Sequence, residues 1–254
     1  MCYNSTISAV MILAAGFGSR LRPLTDNTPK PLVSVCGRPM IEHTFDSINM
    51  ECEQFSRVVI NTHYLSSKMD EYLSFKHDDR ILISHEKVTI MNTGGGVKQA
   101  LSKIAAPRFF TRNPDALWKG QCPFCFLRKH WREDDMDSLM LMIPYENTFG
   151  FAGIGDLSMK HADVSSREAF CLDALGCIDK DEYSLVYGGM QIVRSSCFSQ
   201  IESDIFPMSS VWSMAKSKNR LYAAVYEGDW FDIGTLKGIQ TAEQHLLHNE
   251  QAVS

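Results

Sequence analysis

Roughly the first 115 residues alternate between two kinds of apolar pattern. Short runs rich in consecutive apolar residues, such as Val10–Ala15 and Arg57–Asn61, are typical of buried strands. Segments with apolar residues three or four positions apart, such as Pro39–Met50 and Leu65–Phe75, are typical of amphipathic helices. Alternating strands and helices form βαβ units, so the pattern predicts an α/β fold with a mainly parallel sheet covered by helices on both faces.

The same criteria predict further elements along the chain. The additional strands are Ile81–Ser84, Phe109–Arg112, Ser138–Ile143, Ser184–Val193 and Leu221–Tyr226. The additional helices are Gly96–Ile104, which would begin just after a glycine cluster, and Leu236–His248, an amphipathic closing helix. The segment Ala162–Asp181 is poor in core residues, and we expect a loop or hairpin there. The sequence contains no internal repeat that would add a β-helix.

Composition limits the class of protein. The chain has 254 residues, of which 44% are hydrophobic, enough for one domain with a large core. The net charge is −5 without a long Lys/Arg run, so we expect no nucleic-acid groove. No apolar run is long enough to span a bilayer, and Met1–Ser8 lacks the features of a signal peptide. The eight Cys are scattered, so we expect reduced thiols in a cytoplasmic protein.

One cysteine pair, Cys122 and Cys125, has a spacing found in zinc sites. His130 lies nearby, but no paired fourth ligand stands out in the sequence. The pair is therefore interpreted as a chance spacing, with a zinc or redox site as the alternative.

The most specific feature is the segment Leu13–Leu32, which reads LAAGFGSRLRPLTDNTPKPL. It begins as a strand and continues as a loop in which Gly16 and Gly18 let backbone amides approach a ligand closely. Such amides form a concave site for an anion. Three cations follow in the same loop: Arg20, Arg22 and Lys30. The segment therefore predicts a phosphate-binding site.

Two common phosphate motifs are excluded for this segment. The dinucleotide fingerprint needs a third glycine at the position where Leu21 stands. The P-loop needs a second glycine followed by Lys and then Ser or Thr, and neither Gly16 nor Gly18 is followed by that ending. A structural loop remains the alternative, although so many cations and prolines serve little purpose in one.

Two Asp residues near predicted strands are candidate metal ligands. Asp115 follows the strand Phe109–Arg112, and Asp232 lies between a strand and the closing helix. Phosphoryl transfer depends on charge stabilisation and positioning, and Mg²⁺ usually takes one or two carboxylates together with phosphate oxygens. By itself each Asp is more often a turn or helix-capping residue.

The segment Leu13–Leu32 resembles the signature of the sugar-1-phosphate nucleotidyltransferases. Similarity is greatest to the short, single-domain members, such as those that use N-acetylmuramate-1-phosphate or mannose-1-phosphate. It covers about Val10 to His248 and is looser after Ile104. The resemblance implies a three-layer Rossmann-like nucleotidyltransferase fold, in which a nucleotide half (about 9–118), a sugar-binding half (about 119–235) and a closing helix (236–254) form one domain over 1–254.

The resemblance also implies a reaction and its site residues. The reaction joins a nucleoside monophosphate from a nucleoside triphosphate, with UTP preferred, to a sugar-1-phosphate and depends on Mg²⁺, as in nucleotide-sugar and cell-wall biosynthesis. The implied catalytic residues are Arg20 and Lys30, and the implied metal ligands are Asp115 and Asp232. The implied nucleotide-binding residues are Leu13, Ala14, Ala15, Gly16, Gly18, Glu86, Thr93, Gly94 and Gly95. The implied sugar-binding residues are Asp156 and Gly189.

Two positions depart from the family pattern. Pro114 stands where the family has glycine, and a proline there would misdirect Asp115 if that glycine needs a positive φ. Asn92 stands where members often carry an acidic residue, which leaves the base preference open.

Alternatives remain at several points. Thr93–Gly96 is otherwise a simple turn before a helix, and Asp156 and Gly189 otherwise mark a hairpin or β-bulge. A cytidylyltransferase acting on a phosphate such as phosphocholine would show an aromatic cage. A nucleotide-sugar-binding pseudoenzyme would bind ligand without turnover. Monomer and homodimer are both compatible with the sequence.

Overall fold

The computed structural model describes residues 7–50, 54–159, 169–172 and 183–251. Most of the loop or hairpin predicted at Ala162–Asp181, and most of the N-terminal segment assessed for a signal peptide, lie outside these ranges. In the part described, no helix has both the length and the apolarity needed to cross a membrane.

The described residues form strands and helices with the following bounds. The strands are β1 (Ala9–Leu13), β2 (Ser34–Val35), β3 (Arg38–Pro39), β4 (Arg57–Thr62), β5 (Ile81–His85), β6 (Arg108–Arg112), β7 (Ala116–Lys119), β8 (Ser138–Pro144), β9 (Thr148–Phe149), β10 (Leu157–Met159), β11 (Phe170–Cys171), β12 (Tyr183–Arg194), β13 (Leu221–Val225) and β14 (Asp229–Asp232). The helices are α1 (Met40–Asn49), α2 (Ser66–Ser74), α3 (Asn92–Ile104), α4 (Pro123–His130), α5 (Ser196–Ser199), α6 (Met208–Ser217) and α7 (Leu236–Gln251).

Within the described ranges, the central sheet has nine strands in the order β11-β13-β8-β12-β6-β1-β4-β5, with β10 beside β12. Strands β1, β4, β5 and β6 are mutually parallel, and β8 and β13 share their direction. Strand β12 runs opposite, between β6 and β8. The predicted fold class, α/β with a mainly parallel central sheet, is therefore confirmed.

The sheet separates two hydrophobic cores because strand side chains point alternately to its two faces. On β1, Val10 and Ile12 belong to one core, whereas Ala9 and Met11 belong to the other. Helix α1 closes the first face with Ile41, Phe45 and Ile48, which recur at helical spacing. Burial of each large apolar side chain contributes about 1.5–3 kcal/mol. The consecutive apolar residues of the predicted strands are thus explained by burial on both faces.

A second, three-stranded sheet, in the order β7-β14-β9, was not predicted. Strands β7 and β14 pair antiparallel, with Asp232 opposite Ala116. The Ile233 amide also donates to the Asp115 carbonyl at 3.0 Å. Asp232 therefore ends a strand rather than lying in a loop, and this pairing brings Asp115 and Asp232 together across more than a hundred residues of sequence.

The helices differ from the predicted ones at α3, α4 and α6. Helix α3 begins at Asn92, so the glycines of the cluster lie inside its first turns and not before it. Helices α4 and α6 were not predicted.

The cysteine pair lies at the start of a helix: Cys122 immediately precedes α4 and Cys125 lies within it. Among the described residues there is no group of three or more potential metal ligands, so the zinc alternative gains no support.

Candidate active site

The loop after β1 is folded tightly back toward the sheet. Gly18 has a left-handed φ of +66°, and an added Cβ would lie 2.8 Å from Thr25 and 3.0 Å from Lys30. The Thr25 hydroxyl donates to the Gly18 carbonyl at 2.9 Å. Only glycine combines this backbone conformation with such close packing, and its use here fixes the part of the loop that carries Lys30.

A cavity of about 210 Å³ opens at the carboxyl ends of the parallel strands. Its lining includes the predicted residues Leu13, Ala14, Ala15, Gly16, Lys30, Glu86, Thr93 and Asp115. It also includes Pro31, Asn61, Ile90, Asn92, Asn113 and Pro114, which were not predicted to bind a ligand. Sites at this end of the strands are typical of open α/β sheets.

Two cations and two carboxylates meet beside the cavity. The Lys30 ammonium donates to the Asp115 carboxylate. Arg20 lies 3.6 Å from Asp115 and 3.7 Å from Asp232, measured from guanidinium nitrogen to carboxylate oxygen. The Asp115 side chain is thus directed into the same cluster as Asp232, and Pro114 does not turn it away. Arg22, in contrast, pairs with Asp26 at 3.4 Å and does not join the cluster.

Burial raises the pKa of Asp232 above its usual value. The amide of Gly234, which donates to the Asp232 carboxylate at 2.9 Å, opposes this rise in pKa, whereas the negative charge of Asp115 adds to it. A further cation at this point would favour the ionised form of Asp232. Two adjacent carboxylates fit Mg²⁺, which takes its other ligands from water and phosphate oxygens. Asp115 and Asp232 are therefore residues that could hold a metal ion.

Gly234 leaves open the space between these groups. An added Cβ would lie 2.7 Å from both Arg20 and Asp115 and 2.9 Å from Asp232. We expect Gly234→Ala to lower kcat about 100-fold, because small displacements of positioning groups have effects of this size. The turnover rate and the melting temperature should be measured together.

Gly37→Ala is the matched control for this substitution. Gly37 has open space around its Cβ position but a φ of +75°, so alanine should cost about 1 kcal/mol of stability and leave turnover unchanged. A Gly234→Ala protein with normal kcat would show that the space is not needed for catalysis.

Gly94 and Gly95, which the resemblance implies for nucleotide binding, pack against a distant segment of the chain. The amides of Gly94 and Gly95 donate to the Phe206 carbonyl at 2.9 and 3.0 Å. Added Cβ atoms would meet the Phe206 ring at 2.5 Å and the Asp204 carbonyl at 2.1 Å. These two glycines therefore allow close packing of the 204–206 segment against α3, and within this segment the cavity is lined by Asn92 and Thr93.

The predicted sugar-binding residues lie on or beside β12. Gly189 has a φ of +72° and sits at the irregularity in the pairing of β12 with β8. Its carbonyl accepts from the Asn113 amide at 2.8 Å, which places it next to the cavity. The Asp156 carboxylate accepts from the Tyr187 amide at 2.8 Å. The two residues are thus connected to the same strand, and their role toward a sugar stays a prediction.

Asn61 is a cavity residue that was not predicted from the sequence. It stands at the carboxyl side of β4 and its side chain is buried, with 3% exposure. Its signal was a polar residue directly after the buried apolar run Val58–Ile60, at the strand end where α/β sites form.

The profile of the Nucleotidyl transferase family matches residues 9–149, which include the glycine-rich loop and all of the residues that line the cavity, Asp115 among them. The chain belongs to this family. It is therefore a nucleotidyltransferase, as the sequence predicted.

Among curated relatives of this nucleotidyltransferase is the N-acetylmuramate alpha-1-phosphate uridylyltransferase of Caulobacter vibrioides, 28% identical over 93% of this chain and 96% of the relative. Another is the mannose-1-phosphate guanylyltransferase catalytic subunit beta of Danio rerio, 24% identical over 91% of this chain and 62% of the relative.

Solved structures share the fold of this nucleotidyltransferase. The UTP-bound UGPase of Acinetobacter baumannii superimposes with a TM-score of 0.71 at 15% identity, over 98% of this chain and 99% of the other. HddC of Yersinia pseudotuberculosis, in complex with GMP-PN, gives a TM-score of 0.71 at 19% identity, over 94% and 99%.

Proposed function

We propose that this nucleotidyltransferase transfers a nucleoside monophosphate from a nucleoside triphosphate to a sugar-1-phosphate and releases pyrophosphate. The observation that carries the proposal is the cluster of Asp115, Asp232, Arg20 and Lys30 beside the cavity behind the glycine-rich loop. UTP and N-acetylmuramate-1-phosphate are the first substrates to test. Two relatives that match over nearly their full length are named N-acetylmuramate alpha-1-phosphate uridylyltransferase.

The cavity divides into parts suited to different portions of a nucleotide. The backbone of Leu13–Gly16 and the side chains of Asn92 and Thr93 offer polar groups for a base and ribose. Lys30 and Arg20 lie where phosphates would extend from that region. In this arrangement the two cations exchange their carboxylate partners for phosphate oxygens when the triphosphate binds.

The proposed chemistry is an in-line displacement at the α-phosphorus. A phosphate oxygen of the sugar-1-phosphate attacks, the bond to the β-phosphate breaks, and pyrophosphate leaves. Asp115 and Asp232 would hold Mg²⁺, which would supply charge stabilisation for the phosphates. Lys30 and Arg20 neutralise charge on the leaving pyrophosphate. The attacking oxygen is already anionic, so the reaction needs no general base.

The sugar would lie on the side of the cavity lined by Asn113, where Gly189 and the half that follows about residue 119 begin. This division into a nucleotide half and a sugar half within one domain is part of the proposal. It predicts that substitutions at Asp156 and Gly189 alter the KM for the sugar-1-phosphate more than the KM for the nucleotide.

The test is pyrophosphate release with Mg²⁺, using the four common ribonucleoside triphosphates against a panel of sugar-1-phosphates. Turnover with one pair, abolished by EDTA and restored by Mg²⁺, would support the proposal and identify the substrates. Turnover only with CTP and phosphocholine would replace it with a cytidylyltransferase. Nucleotide binding without turnover on any acceptor would replace it with a binding protein.

A further inference from the structure

A chain of three hydrogen bonds crosses the floor of the cavity. The Ala14 amide donates to the Asn61 side-chain oxygen at 2.7 Å. The Asn61 side-chain nitrogen donates to Glu86 Oε1 at 2.6 Å, and the Met91 amide donates to Glu86 Oε2 at 2.6 Å. The orientation of the Asn61 amide is fixed by its partners, since the Ala14 amide can only donate and a carboxylate accepts.

The two side chains in this series of hydrogen bonds are buried, with 3% exposure for Asn61 and 2% for Glu86. Each Glu86 oxygen already accepts a hydrogen bond within the protein, so its carboxylate is engaged in holding neighbouring segments. Its backbone is fixed as well, because the Glu86 amide donates to the Thr62 carbonyl at 2.9 Å. A buried polar network that is satisfied in this way makes its surroundings rigid.

Helix α3 leaves space for the Asn61–Glu86 pair, the two hydrogen-bonded side chains, because it has glycine at position 96. An added Cβ at Gly96 would lie 2.4 Å from Glu86 Oε1 and 2.7 Å from Asn61 Nδ2. This third glycine of the cluster therefore has a purpose unlike that of Gly94 and Gly95: it keeps the helix clear of the hydrogen-bonded side chains.

The ends of the chain of hydrogen bonds lie in two different walls of the cavity. Ala14 belongs to the glycine-rich loop, and Met91 ends the loop that carries the lining residue Ile90 and leads into Asn92 and Thr93. We propose that Asn61 is a positioning residue which, through Glu86, sets the distance between these two walls and thereby the affinity for the nucleotide. This inference rests on the proposed function.

The test replaces the amide of Asn61 by a carboxylate and the carboxylate of Glu86 by an amide, first singly and then together. Asn61→Asp places two carboxyl groups against each other, and Glu86→Gln leaves the pair with one amide donor facing another donor. Each single variant should raise the Kd and the KM for the nucleoside triphosphate about tenfold, since one buried bond is lost.

The double variant, which carries both substitutions, restores every hydrogen bond with the polarity of the pair reversed. The new amide at position 86 can donate to the new carboxylate at position 61 and accept from the Met91 amide. The carboxylate at position 61 still accepts from the Ala14 amide. The nucleotide affinity of the double variant should therefore return to within about twofold of the wild type.

The measurements are calorimetric binding of the triphosphate at pH 8, the two KM values, kcat and the melting temperature. We expect the KM for the sugar-1-phosphate to stay constant in all three variants. Unchanged nucleotide affinity in both single variants would overturn the inference, as would a double variant no better than the singles. Gly96→Ala, which presses on the pair from α3, should weaken nucleotide binding in the same way.

Gln191→Glu controls for stability alone. Gln191 is a fully buried amide on β12 whose oxygen accepts from Ser138 and Trp212 at 2.8 Å. Its substitution should lower the melting temperature without changing the nucleotide Kd. The proposed function fails separately, when the wild-type protein binds a triphosphate but turns over no sugar-1-phosphate, because the binding comparison does not depend on turnover.

Discussion

Asp232→Asn should lower kcat about 1,000-fold, because it removes one of the two carboxylates that would hold Mg²⁺ beside the reacting phosphates. The fold should be retained. The asparagine oxygen can still accept from the Gly234 amide, and burial has raised the pKa of Asp232, which means that its charge costs free energy in the folded state. The melting temperature should therefore stay constant or rise.

Asp229→Asn is the control for this substitution. Asp229 lies at the other end of the same strand, opposite Lys119 and away from the cluster. Its replacement should leave kcat within about twofold of the wild type, because Asp229 is at the opposite end of the strand from the charged cluster. An Asp232→Asn protein that retains more than about a tenth of the activity would contradict the assignment of the metal ligands.

Lys30→Gln should lower kcat about 100-fold and weaken binding of pyrophosphate in the reverse reaction. The ammonium is largely buried beside Asp115 and lines the cavity, so its charge acts with little screening by solvent. A glutamine has similar length but carries no charge. Initial rates in both directions, with pyrophosphate as the varied substrate in reverse, would measure the effect.

Arg22→Gln tests whether any cation of the same loop matters in this way. Arg22 is 61% exposed and pairs with Asp26, so its replacement should change neither direction of the reaction by more than about twofold. Equal losses in the two variants would mean that the loop contributes a general positive field and that Lys30 has no specific role.

The fold of roughly the first 118 residues could be predicted from sequence because its signals are local. Burial on both faces explains the runs at Val10 and Arg57, and α1 shows a clear apolar face. Helix α4 could have been predicted from Pro123 in its first turn, a position where proline is favoured. The start of α3 could not, since glycine usually interrupts helices. There the cost is offset by contacts with Phe206, more than a hundred residues later.

The site could be predicted only in part, because part of it depends on contacts between residues far apart in the sequence. The cations and carboxylates were recognisable as residue types, but the meeting of Asp115 with Asp232 depends on the pairing of β7 with β14. No local pattern predicts which strands pair across such a separation. The exclusion of Arg22 from the cluster and the hydrogen bonds of Asn61 with Glu86 likewise depend on tertiary contacts.

The ion pairs of Arg20 and Lys30 with the two carboxylates have a consequence for folding. The acidic pair is accompanied by two positive charges from the chain itself, so its mutual repulsion is balanced within the polypeptide. Folding of the nascent chain consequently does not have to wait for a divalent ion, in contrast to small domains that fold only around their metal. Under the proposed Mg²⁺ dependence, protein made in a cell short of magnesium would be folded but inactive, and it would become active when the ion returns, without new synthesis.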